Sequence, residues 1–109
     1  MAKRNLDDLQ AFVTVVREGN FTRAAARLHI GQPPLSMQIR DLEEMLGARL
    51  FERTRRKVSL TDAGVRFLAR SRQILAAVEE ASDEVRKVAR GELGELRIVH
   101  KTALRQSTV

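Results

Sequence analysis

Apolar residues in the first half of the chain recur at three- and four-residue steps in three short stretches, and this spacing predicts three amphipathic helices. In chain order, the apolar sets are Leu6, Leu9, Val13 and Val16; Ala24, Ala25 and Leu28; and Leu35, Ile39, Leu42 and Leu46. Asn5 and Thr22 are the predicted caps of the first two helices. Gly19 and Gly47 are predicted to end the first and the third.

The spacing changes in the middle of the chain. Residues 50–53 and 57–60 form two brief extended segments around a cationic tip at 54–56, a pattern that predicts a small hairpin. Helical spacing resumes at Thr61 and continues to about Arg90, where the glycines of RGELGEL predict the end of one long helix. The LRIVH segment that follows is strand-like.

This order of elements predicts a mainly α protein: a winged helix-turn-helix of three helices and a two-stranded wing, followed by a long helix. The predicted domains are residues 1–60 for the winged domain, 61–90 for the long helix, and 91–109 for a hinge and the start of a further domain.

Two adjacent prolines, Pro33 and Pro34, open the third predicted helix. Proline is tolerated there because the first N–H groups of a helix have no intrahelical partner. We expect this helix start to turn free backbone N–H groups and the positive end of the helix dipole towards a phosphate, with Ser36 and Gln38 as nearby side-chain donors. The alternative interpretation is a plain helix boundary, which proline marks in any class of protein.

A helical projection divides the third helix into two faces. The apolar residues share one face, while the acidic Asp41 and Glu44 lie in the C-terminal half. If its N-terminal half enters a major groove, the helix presents one set of side chains to the base edges. That set is Gln32, Pro33, Pro34, Ser36, Met37 and Arg40.

The charge balance points to a polyanionic partner. The chain has a net charge of +6, which favours nucleic acid or an anionic membrane as the partner. Arg53, Arg55 and Arg56 lie at or beside the wing tip, where they predict a phosphate clamp; the alternative is a solubilising charge run. The absence of cysteine excludes a zinc finger, and the absence of a signal-like or membrane-length apolar run predicts a cytoplasmic protein without a membrane partner.

The long helix carries a wide apolar stripe with a seven-residue repeat. A small winged domain cannot cover such a stripe along its whole length, so the helix is predicted to pair with a copy of itself. The alternative is packing against a downstream domain, for which little chain remains after Gly94. The predicted dimerisation residues are Phe67, Leu68, Ile74, Leu75, Val78 and Val85.

Three segments resemble the LysR-type transcriptional regulators of bacteria. LDDLQAFVTVVREGNFTRAAARLHI is similar to the first two helices of that family, QPPLSMQIRDLEEMLGARLFER to its recognition helix and first wing strand, and TRRKVSLTDAG to its wing and the start of its linker. Two positions depart from the family pattern. Gly31 stands where many members have a hydroxyl residue, and Met37 stands where many have arginine.

The resemblance implies a dimer that binds an inverted-repeat operator in double-stranded DNA, with a recognition helix in the major groove and a basic wing on the backbone. With the residues above, the predicted DNA-binding set is Thr22, Gln32, Pro33, Pro34, Ser36, Met37, Gln38, Arg40, Arg53, Arg55 and Arg56. The resemblance further implies a tetramer at full length and RNA polymerase as a candidate partner. GELRIVH is similar to the first strand of an effector-binding domain, so we expect a truncated chain and no cofactor in it, with a small-molecule effector bound by the missing domain.

Two other functions are compatible with parts of the pattern. A nonspecific nucleoid-type protein shares the basic composition, and an interaction module that only dimerises shares the long helix. An enzyme is the least favoured class, because the chain has no phosphate-cradling glycine loop, and its two histidines, His29 and His100, suggest neither a metal site nor a catalytic pair.

Overall fold

The computed structural model describes residues 5–53 and 57–91. Its helices are α1 (Asn5–Glu18), α2 (Phe21–Leu28), α3 (Gln32–Leu46) and α4 (Asp62–Ala89), which confirms the four predicted helices and the mainly α class. The predicted wing tip, with Arg55 and Arg56, lies outside the described residues, as do His100 and the strand-like segment near the C-terminus.

The cap of α2 differs from the prediction. Asn20 has extended backbone angles, and its side-chain Oδ1 accepts a hydrogen bond from the N–H of Arg23 at 2.9 Å. Thr22 is therefore an exposed residue of the first turn, and its assignment as the cap is wrong. Asparagine and threonine are both good caps, so the helix starts at the residue whose side chain reaches an N–H three positions ahead.

The core of the winged domain lies between α1, α2, α3 and the wing base. Phe12 is fully buried at its centre, with ring centroids 5.4 Å from Phe51 and 5.2 Å from Phe67. Leu35 and Ile39 of α3 are also fully buried, as their spacing predicts. The other buried apolar residues are Leu9, Ala11, Val13, Val15, Ala24, Ala25, Leu42, Leu50 and Phe51.

The apolar stripe of α3 ends one turn earlier than predicted. Leu46 is 41% exposed, while Glu43 is only 7% exposed. Gly47 ends the helix in the left-handed conformation, with its N–H donating to the carbonyls of Glu43 and Glu44, so Leu46 lies in the last turn. The buried position facing the wing is taken by a carboxylate.

The base of the predicted hairpin is present. Phe51 and Leu60 form an antiparallel bridge, and the N–H of Glu52 donates to the carbonyl of Ser59 at 2.9 Å. The N–H of Thr61 then donates to the carbonyl of Leu50 at 3.0 Å. These bonds confirm that the two extended segments pair in antiparallel order.

The start of α4 is fixed to the first arm of the hairpin. Thr61 Oγ1 accepts from the N–H of Gly64 at 3.0 Å and donates to the carbonyl of Arg49 at 2.6 Å. Gly64 is buried so close to Leu50 that a Cβ atom would overlap the Leu50 carbonyl oxygen and lie 2.9 Å from Leu60 Cδ2. Glycine is therefore required inside this helix by packing, although it is a poor helix former.

The described residues divide into two packing units between Leu75 and Ala76, within α4. In the first unit, Phe67, Leu68 and Leu75 are partly buried and pack against the core. These three residues thus have partners in their own chain, and their part in a dimer contact stays a prediction. Ile74, Val78 and Val85 remain exposed, at 45%, 42% and 68%.

Ser71 leads to a prediction about stability. Its side chain is fully buried, and its Oγ is the one buried side-chain polar atom without a hydrogen-bond partner among the described residues. Removing an unpaired buried hydroxyl relieves a desolvation penalty, so we expect Ser71→Ala to raise the free energy of unfolding by about 1 kcal/mol. Urea denaturation would measure this gain. Ser82→Ala, at a half-buried site of the same helix, is the control for helix propensity alone; equal gains from the two variants would contradict the prediction.

Candidate DNA-binding surface

The N-terminal half of α3 presents the predicted set of side chains to solvent. Gln32, Pro33, Pro34, Met37 and Arg40 are exposed. Ser36 is half-buried, and the apolar residues on the opposite face have no exposed surface. Burial of one face leaves the other available for contact, which agrees with the helical projection.

The start of α3 is poorer in backbone donors than predicted. Helix α3 begins at Gln32, so Pro33 and Pro34 occupy its second and third positions and have no N–H group. The N–H of Leu35 already donates to the carbonyl of Gly31 at 3.2 Å. The two prolines therefore remove two of the donors that a helix start normally offers, so fewer N–H groups can face a phosphate than at other helix starts.

Gly31 is the N-terminal cap of α3. It has extended backbone angles and makes no side-chain cap bond. Near this cap, Gln32 Nε2 donates to Ser36 Oγ at 2.7 Å. This contact orders two predicted base-reading side chains against each other, one helical turn apart.

Gln38 has a structural partner. Its Nε2 donates to Asp8 Oδ1 at 2.9 Å, and both side chains are half-buried between α1 and α3. Gln38 therefore ties α3 to α1 through one of its two amide N–H donors, and its donation to a phosphate stays a prediction. By contrast, Met37 and Arg40 make no polar contact within the described residues.

Arg53 pairs with a carboxylate that the sequence patterns did not single out. Its Nη2 contacts Glu43 Oε1, and the opposite carboxylate oxygen, Oε2, accepts from the N–H groups of Leu50 at 2.7 Å and Phe51 at 3.2 Å. Glu43 follows Ile39 by four residues, which places it on the apolar face of α3. A charged residue within an apolar stripe was the sequence signal that could have identified Glu43 as a buried carboxylate.

A cleft of about 810 Å³ lies between the second half of α3 and the base of the wing. Arg40, Arg49 and Arg53 line it together with Glu43 and Glu44. The exposed Lys57 begins the second arm of the hairpin. Cationic side chains from the helix and the wing base thus share one region, a distribution suited to a polyanion.

Neither a metal-binding cluster of His, Cys, Asp or Glu nor a helix long and apolar enough to cross a membrane occurs in the described parts of the chain, residues 5–53 and 57–91. His29 ends α2 in the left-handed conformation, with φ 59°, and its N–H donates to the carbonyls of Ala25 and Ala26.

Comparison with known proteins gives consistent matches to one family. Residues 6–65 match the sequence model described as bacterial regulatory helix-turn-helix protein, lysR family. The chain is 56% identical over 93 residues to the uncharacterized HTH-type transcriptional regulator YnfL of Escherichia coli K12, covering 85% of this chain and 31% of that protein. It is 52% identical over 92 residues to the HTH-type transcriptional regulator TfdT of Cupriavidus pinatubonensis, covering 84% of this chain and 40% of the relative.

The structural comparison agrees. The BenM DNA-binding domain in complex with catB site 1 DNA superposes with a TM-score of 0.77 at 42% identity, covering 80% of this chain and 94% of that chain. This likeness establishes the winged helix-turn-helix fold. The chain spans about a third of the length of the curated relatives described above, 31% of one and 40% of the other.

Proposed function

The chain belongs to the lysR family of bacterial regulatory helix-turn-helix proteins, and we propose on that basis that it binds operator DNA sequence-specifically to regulate transcription. The observation that carries the proposal is the two-faced α3 helix. Its apolar face is buried in the core, while its N-terminal half presents Ser36, Met37 and Arg40 away from it. A helix of this kind reads base edges from the major groove.

The residues of α3 suit different kinds of base contact. Arg40 carries the bidentate donor group that recognises guanine, and Ser36 and Gln32 carry groups that donate and accept hydrogen bonds. Met37 has no hydrogen-bond donor and is 56% exposed, so its contact with DNA is apolar, with a thymine methyl as its partner. The resulting operator preference differs from that of relatives with arginine at this position.

The wing supplies the contacts to the phosphate backbone. The start of α3 has few free N–H groups, so the anchoring charge comes from Arg55, Arg56 and Lys57 at and beside the wing tip. A homodimer formed through α4 places two recognition helices on an inverted repeat. The full-length protein adds a tetrameric assembly, a small-molecule effector and contact with RNA polymerase, in the cytoplasm.

Selection of bound duplexes from a random pool tests this function. A regulator enriches an inverted repeat and prefers it to random duplex by roughly a thousandfold or more at physiological salt. A nonspecific nucleoid-type protein gives no consensus, and a module that only dimerises gives no salt-dependent DNA binding. Either of these results would reject the proposal.

Ser36→Ala tests the reading role of α3. Loss of one base-edge hydrogen bond reduces discrimination between operator variants by about 1–3 kcal/mol, while binding to random duplex changes little. Competition titrations with single-base operator variants measure the discrimination. Ser82→Ala on α4 is the matched control, and an unchanged specificity profile for Ser36→Ala would show that this side chain does not read DNA.

Arg56→Ala tests the anchoring role of the wing. Loss of one phosphate contact weakens binding to all duplexes to a similar extent and lowers the slope of log affinity against log salt by about one unit. Titrations at several salt concentrations measure that slope. Arg72→Ala, at an exposed position of α4, removes the same charge elsewhere; equal slopes for the two variants would reject a specific clamp.

A further inference from the structure

Glu43 is a buried carboxylate on the proposed recognition helix, and all its described polar partners come from the wing segment. Its Oε2 accepts two backbone N–H groups, those of Leu50 and Phe51, and its Oε1 contacts the Arg53 guanidinium. A carboxylate this buried requires such partners, because an uncompensated charge in the interior is strongly unfavourable. The Glu43 carboxylate therefore links the recognition helix to the wing through three polar contacts.

The joint extends through the backbone to both arms of the hairpin. The N–H of Leu50 donates to Glu43, and the carbonyl of Leu50 accepts from Thr61 in the second arm. Phe51, also bonded to Glu43, bridges to Leu60. Two elements that the proposed function places on DNA are thus held at a fixed offset by one carboxylate.

The Arg53 side chain is partly exposed and also contacts a buried carboxylate. Its side chain is 31% exposed, while the carboxylate side chain that it contacts is 8% exposed. A guanidinium has five N–H donors, so those not directed at Glu43 remain available at the surface. Transfer of Arg53 entirely to a DNA phosphate would leave the buried carboxylate without its counter-charge, which favours retention of the pair when DNA binds.

We propose that Glu43 is a positioning residue for DNA binding. It holds the base of the wing and the Arg53 guanidinium at a set distance from the recognition helix, and Arg53 keeps this ion pair in the complex while its outer donors face the DNA backbone. The proposal rests on the proposed function and adds that Glu43, which is acidic, strengthens DNA binding.

The direction in which one substitution changes DNA affinity distinguishes this role from a simple effect of charge. Glu43→Gln keeps a similar shape and one acceptor oxygen but removes a negative charge, which by charge alone strengthens binding to DNA. Glu44→Gln is the matched control, since it makes the same charge change at the exposed neighbouring position. We expect Glu43→Gln to weaken operator binding about tenfold and Glu44→Gln to leave it equal or slightly stronger.

A double-mutant cycle with Arg53→Met tests whether Glu43 acts through Arg53. Both single variants are expected to weaken operator binding, and the loss in the double variant is expected to be smaller than the sum of the two single losses, because Arg53, one of the groups that Glu43 positions, is already absent. Tighter binding by Glu43→Gln, matching Glu44→Gln, would overturn the proposal. Fully additive losses in the cycle would overturn it as well.

A measurement on the 109-residue chain without DNA tests the contacts of Glu43 independently of whether the chain binds DNA. Amide hydrogen exchange at Leu50 and Phe51 should accelerate about tenfold in Glu43→Gln relative to the exchange of core amides, since a neutral acceptor binds N–H groups less strongly than a carboxylate does. If exchange responds but no duplex binds, DNA binding fails as the function. Unchanged exchange at these amides in a folded Glu43→Gln variant would contradict the positioning role. The role would also fail if Glu43→Gln unfolds while Arg53→Met folds and binds the operator at parental strength.

Discussion

Gly64→Ala is expected to lower the free energy of unfolding by about 3 kcal/mol or more, although alanine is the better helix former. Helix propensity alone favours alanine by about 1 kcal/mol at this position inside α4. The added methyl group overlaps the carbonyl oxygen of Leu50, which is itself held by the N–H of Thr61. Neither backbone can move without breaking the pairing at the base of the wing, so the overlap outweighs the propensity gain.

Urea denaturation of Gly64→Ala beside Gly19→Ala provides the measurement and its control. Gly19 has φ 69° and open space around an added Cβ, so alanine there introduces backbone strain of about 1–2 kcal/mol without a steric overlap. A loss at Gly64 clearly greater than the loss at Gly19 supports the close packing of α4 on the wing. Stabilisation by Gly64→Ala would show that α4 does not approach Leu50 this closely.

Val78→Glu is expected to dissociate the proposed dimer and to reduce affinity for a full inverted repeat about a hundredfold or more, towards that for a half-site. Val78 belongs to the apolar repeat of α4 and is 42% exposed among the described residues. A carboxylate in a self-paired helix seam would be buried against its symmetry mate without a partner. Loss of the tether between two recognition helices removes avidity without changing a DNA contact.

Sedimentation and titrations with full and half operators measure the two effects together. Leu75 is a poorer probe because it packs against the core, so a charge there would also destabilise the winged domain. Gln73→Glu makes the same charge change at an exposed polar position of α4 and serves as the control. A Val78→Glu variant that stays dimeric, or that becomes monomeric yet binds the full site at parental strength, would contradict α4 as the dimer seam.

Periodicity predicted the helices and the exposed face of α3 because both depend on short-range spacing. Leu35 and Ile39 lie on one side of α3 in any packed structure, which leaves Met37 and Arg40 on the other. The antiparallel base of the wing was also predictable, since two short extended segments around a tight tip have few other ways to pair. These features need no knowledge of distant contacts.

Spacing did not identify contacts with partners far away in sequence. Spacing gave no sign that Gln38 contacts Asp8, thirty residues earlier. It also gave no sign that Phe67 packs on Phe12. Glu43 was not singled out, because its amide partners, the N–H groups of Leu50 and Phe51, approach it only when the wing folds back onto α3. The spacing of apolar residues shows which face of a helix is buried, but it does not identify the residues that pack against that face.

The division of tasks within α3 has a consequence for how such regulators diverge. The contacts that hold this helix in place belong to its buried residues and to Gln38 and Glu43, while Met37 and Arg40 make no polar contact within the described residues. Substitutions at these two positions therefore leave folding nearly unchanged, since exposed sites without partners tolerate exchange. A duplicated gene can acquire a new target through such a change in one step, without a compensating mutation elsewhere in the scaffold.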